Sequence, residues 1–260
     1  MKRKYIPSSR TVISTPSRAT PPKNTKPSSL KPCNNATSSS IKNKSDTGHK
    51  KPPPTPLKAQ LKLHKPDIPV RPVVNNSSAP AYKTARKLNN ILNQQLHLGN
   101  YYTISNLTDL AKNLTKLKII AYHILMTLDI KDLYVNIPID ETIHTSRTQL
   151  LKHNDQQTTS QICNILGTIL GQNYFAFQDH CYQPDKGVAI GSPVSGTMAE
   201  IFLQYLENSH IKPLLGSKCI AFCYRYVDDI LVIYDATRTN PMMIVHHANY
   251  IHCNIILPQH

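Results

Sequence analysis

Two adjacent carboxylates interrupt an apolar run near the end of the chain. The run extends from Phe222 to Tyr234, and Asp228 and Asp229 lie at its centre. Burying unpaired carboxylates is costly, so such a pair is retained where it is exposed at a turn or neutralised by a cation. The pattern predicts two strands joined by a two-residue turn that presents the aspartates, a geometry that suits Mg2+ and bound phosphates. The alternative interpretation is an ordinary hairpin with an Asp-Asp turn.

A third acidic residue follows another apolar segment. Met126–Pro138 has the pattern of a short strand that ends at Asp129, followed by a turn and a proline stop. Asp129 is therefore a candidate metal ligand that completes a site together with Asp228. Tyr134 lies five residues further on, where its ring is placed to limit the space beside a bound sugar. The alternative role for Asp129 is a helix or turn cap.

A segment rich in small residues precedes the hairpin. Gly187–Pro193, called here the Gly-Ser-Pro loop, leads into an apolar pattern of helical spacing, and Pro193 suits the first turn of a helix. Glycines allow the backbone to approach a phosphate or a flat ring closely. The loop therefore fits a nucleotide or template track, although the same residues also mark ordinary turns.

The segments around these motifs alternate between helices and strands. Apolar spacing and stop signals predict helices near Thr84–Leu98, Asn106–Leu117, Asp140–Lys152, Thr158–Asn173 and Met242–Tyr250, a strand over Ile119–Asp129 and a hairpin over Tyr174–Gln183. This order predicts one α+β domain over residues 81–260, with helices on one face of an antiparallel sheet.

The carboxylate strand, the Gly-Ser-Pro loop and the hairpin, in this order, resemble the palm of a reverse transcriptase. The Tyr-Val-Asp-Asp sequence of Tyr226–Asp229 is the most specific part of that resemblance. The chain is most similar to Penelope-like and non-LTR-type retroelement enzymes, on the sequences Leu128–Pro138, Gly187–Pro193 and Tyr224–Leu231. The resemblance starts at about Asn106. It implies a ferredoxin-like antiparallel sheet with helices on one face, and the activity of an RNA-directed DNA polymerase, a nucleotidyltransferase.

The resemblance also implies a metal site. Asp129, Asp228 and Asp229 would be the catalytic and metal-binding carboxylates, and the backbone carbonyl of Ile130 would join the coordination. Two Mg2+ ions, with Mn2+ as an alternative, would activate the primer 3'-hydroxyl and carry charge on the leaving pyrophosphate. No side-chain nucleophile is required by this mechanism.

The remaining roles implied by the resemblance concern the substrates. Asp132 would lie near the incoming triphosphate, and Tyr134 would favour deoxynucleotides over ribonucleotides. Arg225 would fix the hairpin or contact nucleic acid. The template and nucleotide pocket would be lined by Gly191, Ser192 and Pro193. The implied partners are an RNA template, a DNA primer and deoxynucleoside triphosphates.

The basic character of the chain belongs almost entirely to its first third. Residues 1–80 contain 16 Lys or Arg and two acidic residues, whereas residues 81–260 contain 14 and 13. The first segment also holds 14 of the 20 prolines. Such a composition buries too little apolar surface to fold alone, so residues 1–80 are predicted to form a disordered basic arm that binds phosphate backbones. A solvated linker or a non-functional leader is the alternative.

Other sequence signals exclude several classes of function. The six cysteines show no zinc-binding spacing, and no apolar stretch of roughly 18 residues is present to cross a bilayer. We therefore expect no membrane association and no small-molecule cofactor beyond the metal. The cluster Met1–Lys4 has the pattern of a nuclear-import signal, which predicts an intracellular, nuclear protein.

Two functions from different classes follow from the sequence. Because the chain stops at His260, soon after the hairpin, we expect the thumb to be absent and the fingers to be a remnant. Lys186 and Gly187 occupy the place of a glutamine found in many reverse transcriptases. The first hypothesis is a partial reverse transcriptase domain that catalyses DNA synthesis. The second is a catalytically inactive retroelement fragment that acts at most as a basic nucleic-acid-binding protein.

Overall fold

The chain folds into helices and strands in alternating order. The computed structural model describes residues 30–32, 55–63, 68, 70–99, 101–177, 180–217 and 219–257. The strands are β1 (Leu30–Pro32), β2 (Leu57–Leu61), β3 (Val70–Val74), β4 (His123–Asp129), β5 (Phe175–Phe177), β6 (His180–Pro184), β7 (Ile220–Tyr226) and β8 (Asp229–Asp235). The helices are α1 (Tyr82–Leu96), α2 (Leu107–Thr115), α3 (Leu133–Asn136), α4 (Ile139–Leu150), α5 (Gln156–Gly171), α6 (Ser195–Leu206), α7 (Lys212–Gly216) and α8 (Pro241–Ile251). A 3-10 turn (Asn76–Ser78) precedes α1, and a π-helical segment (Glu207–Ile211) joins α6 to α7.

Side-chain caps explain where several helices begin. Asn106, Asp155 and Asn240 each accept a hydrogen bond from the backbone N–H three residues further along the chain, at 2.9, 2.8 and 2.9 Å. Such caps satisfy N–H groups that have no partner within the helix. All five helices predicted from the sequence are present, with bounds that differ by a few residues. No helix in the part of the chain described above is long and apolar enough to cross a membrane.

A three-stranded antiparallel sheet carries both acidic motifs. Its strand order is β4-β8-β7, so the strand that ends at Asp129 lies beside the second strand of the hairpin. The register pairs Asp129 with Asp229 and Leu128 with Ile230. Because side chains alternate along a strand, the paired aspartates lie on one face of the sheet and the paired apolar residues on the other.

The main helical core packs against the apolar face of this sheet. Leu128 and Ile230 pack against the main core, which is formed largely by buried residues of α1, α4, α5 and α6, with Phe202 at 1% exposure near its centre. On the opposite face, Leu125 is 56% exposed and Thr127 is also exposed. The β4 side of the face that bears the aspartates is therefore open to a ligand, whereas Tyr224 and Ile233, further along the same face, are buried. The predicted combination of helices with an antiparallel sheet is present.

The N-terminal arm predicted from composition is partly folded. β2 and β3 pair along their full length in an antiparallel hairpin, and β1 pairs with β6. Pro72 lies within β3, where an edge position tolerates the missing N–H. The prediction of disorder over residues 1–80 is therefore wrong for residues 55–63 and 70–80, because proline-rich composition does not reveal edge-strand pairing. For most of the other residues of the arm, the prediction lies outside the described residues.

Candidate active site

The three acidic residues meet at one end of the sheet. Asp129 ends β4, Asp229 begins β8, and Asp228 lies in the two-residue turn between β7 and β8. The backbone N–H of Ile130 donates to the carbonyl of Asp228 at 3.0 Å, so the end of β4 is fastened to the turn. Sequence reasoning correctly predicted a strand that ends at Asp129 and a two-residue turn, but it placed both aspartates at the tip, whereas the turn consists of Val227 and Asp228 and Asp229 lies in β8. Their mutual placement follows from the β4-β8 register.

The turn itself holds an unfavourable backbone conformation. Val227 has φ of 56°, in the left-handed region, which a β-branched side chain seldom adopts. A residue in such a conformation costs about 1–3 kcal/mol and is retained when the surrounding structure determines it. Its side chain is exposed, so burial of the valine does not offset that cost. The contacts that hold the turn must therefore come from the backbone and its neighbours.

The donor set at this end of the sheet suits a hard cation. Among the residues that the structure describes, no three side chains of His, Cys, Asp or Glu form a group able to hold a metal ion. The predicted triad is thus brought to one edge without forming a closed site. Mg2+ takes one or two carboxylates, keeps several waters and completes its shell with substrate phosphates. Asp129 and Asp228 fit that requirement, whereas they fit poorly a metal that needs a full protein cage.

Tyr134 lies beside the carboxylate turn. Burial raises the pKa of its phenol, the negative charge of Asp228 raises it further, and the positive charge of Arg71 opposes both. Tyr134 therefore lies within range of the charge of Asp228 and of the charge of Arg71. Tyr134 is half-buried and sits on α3, the short helix that follows Ile130. Its position agrees with a ring placed beside the carboxylates.

Arg71 was missed by the sequence reasoning. It lies on β3 within the segment that was predicted to be disordered, and the fold brings it towards Tyr134 and Asp228. The signal that could have found it is Val70–Val74, a run of valines interrupted by one arginine and one proline. Valine-rich runs favour strands. The proline content of the surrounding segment obscured this pattern.

The Gly-Ser-Pro loop is fastened to the segment that bears Tyr134. The Val188 N–H donates to the carbonyl of Tyr134 at 2.8 Å. Gly187 has φ of 72°, and a Cβ atom at this position would lie 2.3 Å from the carbonyl oxygen of Val135. The loop and the tyrosine segment therefore approach more closely than any residue with a side chain allows.

We expect Gly187→Ala to destabilise the protein by at least about 2 kcal/mol, because the new methyl group meets backbone at an already left-handed φ. Urea unfolding measures the change. Gly196→Ala is the matched control, since a Cβ at this position in α6 has no atom within 4 Å. The control is expected to be neutral or stabilising by about 0.5–1 kcal/mol. Equal effects of the two substitutions would contradict the close approach.

The other end of the same loop contacts the β2-β3 hairpin. The Val74 N–H donates to the carbonyl of Ile190 at 2.9 Å. Gly191 has φ of 112°, and a Cβ atom there would lie 2.2 Å from the carbonyl oxygen of Val74. Ser192 and Pro193 are half-buried in the following turn, just before α6. The predicted nucleotide-pocket residues therefore lie where β3 and α6 meet.

Asp132 and Lys186 occupy the margins of this region. Asp132 is exposed at the start of α3 with φ of 50°, and its carbonyl accepts hydrogen bonds from the first turn of that helix. Lys186 donates from its ammonium to the side-chain oxygen of Asn136 at 3.0 Å. Lys186, which lies in the region of the expected glutamine, therefore connects the start of the Gly-Ser-Pro loop to the last residue of α3.

A buried arginine lies directly beneath the carboxylate turn. Arg225 is 2% exposed and pairs with the carboxylates of Glu200 and Glu207. One guanidinium nitrogen also donates to the backbone carbonyl of Val227 at 3.2 Å, and the other to the hydroxyl of Thr103 at 3.0 Å. The arginine thus connects β7, α6, the segment before α2 and the strained turn. It fixes the hairpin, one of the two roles expected from the resemblance.

The fold stabilises both the negative charge of Glu200 and the positive charge of Arg225. Burial by itself would raise the pKa of Glu200, but hydrogen bonds and charge from Arg225, with further donors from Gln204 and Thr103, outweigh burial and lower it. Burial opposes the charge of Arg225, but the hydrogen bonds that its guanidinium donates to Glu207 and Glu200, together with their negative charges, outweigh burial and raise the arginine pKa. Arg225 and Glu200 are therefore both ionised at neutral pH.

Comparison with known proteins identifies the fold. A family model described as reverse transcriptase (RNA-dependent DNA polymerase) matches residues 64–253, which is more than half of the chain. That match begins within the segment that composition had suggested to be disordered. No curated protein sequence matches the chain significantly.

Solved telomerase structures share the architecture. Apo telomerase from Candida tropicalis superimposes with a TM-score of 0.61 at 11% identity, over 88% of this chain and 45% of that chain. Telomerase from Candida albicans, in complex with a TWJ fragment of telomeric RNA, gives a TM-score of 0.57 at 14% identity, over 78% of this chain and 42% of that chain. At these identities the likeness concerns the fold. The chain spans less than half the length of each telomerase chain.

Proposed function

Because the chain belongs to the reverse transcriptase (RNA-dependent DNA polymerase) family, we propose that it adds deoxynucleotides to a primer 3'-hydroxyl under the direction of an RNA template. The observation that carries this proposal is the β4-β8 register, which brings Asp129 opposite Asp229 and beside Asp228 on the open face of the sheet. Nucleotidyl transfer needs carboxylates at an accessible edge, where metal ions and phosphates enter together.

In the proposed reaction, Asp129 and Asp228 hold the divalent cation, with Asp229 adjacent to them. When bound, two Mg2+ ions, or Mn2+ in their place, supply a lowered pKa at the primer hydroxyl and charge stabilisation at the phosphates. The contribution of the chain itself is to hold the carboxylates in position. The hydrogen bond from Ile130 to the Asp228 carbonyl fixes the separation of the two strand ends. Positioning of this kind contributes much of the rate in reactions between bound substrates.

Arg71 is proposed to bind the triphosphate of the incoming nucleotide. It is a cation on β3 near Tyr134 and the carboxylate turn, and a guanidinium matches phosphate oxygens in geometry and charge. The β2-β3 hairpin that carries it is anchored at the Gly-Ser-Pro loop through Val74 and Ile190. The nucleotide would therefore lie between the hairpin and the sheet.

The template is proposed to pass along the Gly-Ser-Pro loop. Gly191, Ser192 and Pro193 present backbone and small side chains at the junction of β3 and α6. The partners proposed for this chain are an RNA template, a DNA primer and deoxynucleoside triphosphates. The presence of a telomeric RNA fragment in one solved relative of the fold supports an RNA partner.

The retroelement subgroup, the type of sheet, the role of the basic arm and the location of the protein are also proposals. The sequences of Leu128–Pro138 and Tyr224–Leu231 support a Penelope-like or non-LTR-type retroelement origin. The β4-β8-β7 order supports a ferredoxin-like palm, and the charge of the first 80 residues supports a basic arm on nucleic acid. The basic cluster Met1–Lys4 supports a nuclear location.

Primer extension on an RNA template with Mg2+ and deoxynucleotides tests the proposed activity. The chain is compared with its Asp228→Ala, Asp229→Ala double variant, which leaves the basic segments intact. Extension by the chain and loss in the variant support the polymerase. If neither protein extends the primer while both bind the template with the same salt dependence, the function is nucleic-acid binding alone. The strongly basic composition of residues 1–80 is the observation that favours this second candidate.

Tyr134→Ala tests the assignment of the ring beside the sugar. We expect the discrimination against ribonucleotides to fall at least tenfold in extension assays, since removal of the ring opens space at the 2' position. Because one tenfold change corresponds to about 1.4 kcal/mol, the effect lies within what a single steric contact supplies. Tyr134→Phe is the matched control and should retain discrimination. Unchanged selectivity in the alanine variant would remove the role.

A further inference from the structure

A segment without regular secondary structure follows α8 and lies beside the residues that follow β4. It comprises residues 252–257, called here the α8 strap. Ile255 and Leu257 are buried in the main core, at 8% and 2% exposure, whereas the Ile256 side chain between them is exposed. Buried apolar side chains on both sides of Ile256 therefore hold its backbone in place. No step of the proposed chemistry uses a residue of this strap.

The α8 strap contacts the turn that begins at the end of β4. The Lys131 N–H donates to the Ile256 carbonyl at 2.8 Å. That N–H belongs to the same peptide unit as the Ile130 carbonyl, and a trans peptide is planar, with its N–H and C=O pointing in opposite directions. The contact with Ile256 therefore directs the Ile130 carbonyl away from the strap. The Ile130 carbonyl is the backbone group that the resemblance to reverse transcriptases assigns to the metal ions.

Asn136, the last residue of α3, joins the strap to the same turn. Its side-chain amide donates to the Lys131 carbonyl at 3.2 Å, and its own carbonyl accepts from the Asn254 side chain at 2.8 Å. Asn136 is buried, so water competes little for these groups. The Ile130 N–H, in turn, donates to the Asp228 carbonyl. Three consecutive peptide units after β4 are therefore each held by a hydrogen bond.

Asn249 of α8 fixes the far end of the strap. Its side-chain oxygen accepts from the Leu257 N–H at 2.7 Å, and its side-chain nitrogen donates to the Leu257 carbonyl at 3.1 Å. An asparagine side chain supplies one acceptor and two donors, so it can satisfy both backbone groups of one residue. Leu257 follows Ile256 directly. This pair of hydrogen bonds, called here the Asn249 clasp, therefore sets the position of the Ile256 carbonyl.

His252 fixes the beginning of the strap. Its Nδ1 accepts from the Asn254 N–H at 3.1 Å, so the ring proton lies on Nε2, which donates to the Glu141 carboxylate at 2.9 Å. The ring also packs edge-on against Phe202 of α6, with 5.0 Å between the ring centroids. The strap is thus attached to α4 and α6 at one end and to α8 at the other.

We propose that the α8 strap orients the Ile130 carbonyl at the divalent-metal site, with Asn249 as the positioning residue. The metal is the one invoked in the proposed function, on which this inference rests. Asn249 acts on the carbonyl only through the strap and the Lys131 N–H. Removal of a group that orients a metal ligand typically weakens metal binding about 10–100-fold. Loss of the Asn249 clasp therefore weakens the metal site without removing any ligand.

The test compares Asn249→Ala with His246→Ala, which changes an exposed residue of the same helix. The first measurement is amide hydrogen exchange at Lys131, with the amide of the buried Met198 in α6 as the reference for general unfolding. The second is binding of Mn2+ to the full chain without nucleic acid, followed by electron paramagnetic resonance. Asp228→Asn locates the bound ion, because it removes a proposed ligand.

We expect exchange at Lys131 to become at least about tenfold faster in Asn249→Ala and to stay within about twofold in His246→Ala. Exchange at Met198 should change by a smaller factor. Binding of Mn2+ should weaken about tenfold in Asn249→Ala alone. The proposal is overturned by unchanged exchange at Lys131, by equal acceleration at Met198, or by faster exchange at Lys131 with unchanged affinity for Mn2+.

A second variant tests the strap at a different contact. Asn254→Ala removes the donor to the Asn136 carbonyl and leaves the Asn249 clasp intact. It should produce the same pattern, with faster exchange at Lys131 and weaker binding of Mn2+. The strap therefore remains testable if Asn249→Ala does not fold, and wild-type behaviour of Asn254→Ala in both measurements overturns the proposal.

Primer extension separates the failure of this inference from the failure of the proposed polymerase activity. Selective weakening of Mn2+ binding in Asn249→Ala, in a chain that fails to extend a primer, supports the strap and counts against the catalytic proposal. Extension by a chain whose affinity for Mn2+ is the same in Asn249→Ala has the opposite meaning. An unaltered chain that binds no Mn2+, or binds it as tightly after Asp228→Asn, overturns the inference.

Discussion

Asp228→Asn is expected to reduce primer extension by at least about 1000-fold, which corresponds to about 4 kcal/mol of transition-state stabilisation. Asparagine preserves the size of the side chain but removes the negative charge. A neutral amide is a weak ligand for Mg2+, which prefers carboxylate oxygens. The backbone of the turn should be unaffected, because the Asp228 carbonyl still accepts from the Ile130 N–H.

The matched control for this substitution is Asp140→Asn. Asp140 is exposed in the first turn of α4. Its substitution by asparagine removes the same charge at a position distant in sequence from the turn between β7 and β8. Extension by this control should remain within about twofold of the unaltered chain, as expected for an exposed substitution outside the site. Both variants should bind single-stranded RNA as the unaltered chain does. Extension retained by Asp228→Asn would exclude Asp228 as a catalytic ligand.

Arg225→Met is expected to destabilise the protein by about 3–5 kcal/mol, the effect of removing one member of a buried ion pair. Methionine fills much of the same volume but leaves two carboxylates without their cation. Glu207 is 7% exposed and Glu200 is partly buried, so water cannot replace the guanidinium fully. The Val227 carbonyl also loses a donor, at a turn that already has an unfavourable φ.

Urea unfolding of two further variants separates this explanation from a general effect of charge. Arg238→Ala removes an exposed arginine that pairs with Asp235 at 3.4 Å, and such surface pairs contribute about 1 kcal/mol or less. The triple variant Arg225→Met, Glu200→Gln, Glu207→Gln removes the uncompensated charges. It should recover more than half of the lost stability. A triple variant no more stable than Arg225→Met would show that the loss comes from packing.

The pH dependence of the free energy of unfolding should have opposite signs in the unaltered chain and in Arg225→Met. In the unaltered chain, the folded pKa of Glu200 lies below its ordinary value of 4.5, so its stabilising contribution is present above that pH and is lost as pH falls through the folded value. In Arg225→Met, burial without the cation raises the pKa of Glu200. Acidification from neutral pH should therefore stabilise the variant, and unfolding midpoints measured across the acidic range test this reversal.

Local patterns determined the catalytic elements from sequence alone. The apolar runs around Asp129 and Asp228, the helix-capping residues and the Gly-Ser-Pro loop each specify their structure through neighbours a few residues away. The strand that ends at Asp129, the presence of a two-residue turn and the five helices therefore agree with the structure, whereas Asp229, expected at the tip of the turn, lies in β8. The assignment of roles to Tyr134 and the carboxylates stays a prediction until the variants are assayed.

Only the tertiary structure decided which distant residues support the site. Arg225 contacts Thr103 across 122 residues of sequence, and Arg71 reaches Tyr134 from a proline-rich segment that composition alone classed as unfolded. Neither placement has a local signal, because an arginine in a strand looks the same in sequence whether it faces solvent or carboxylates within the fold. The β2-β3 hairpin likewise depends on docking against the Gly-Ser-Pro loop at Gly191. Sequence specifies local elements through short-range periodicity, whereas partners that pair across the fold are fixed by strand register and helix packing.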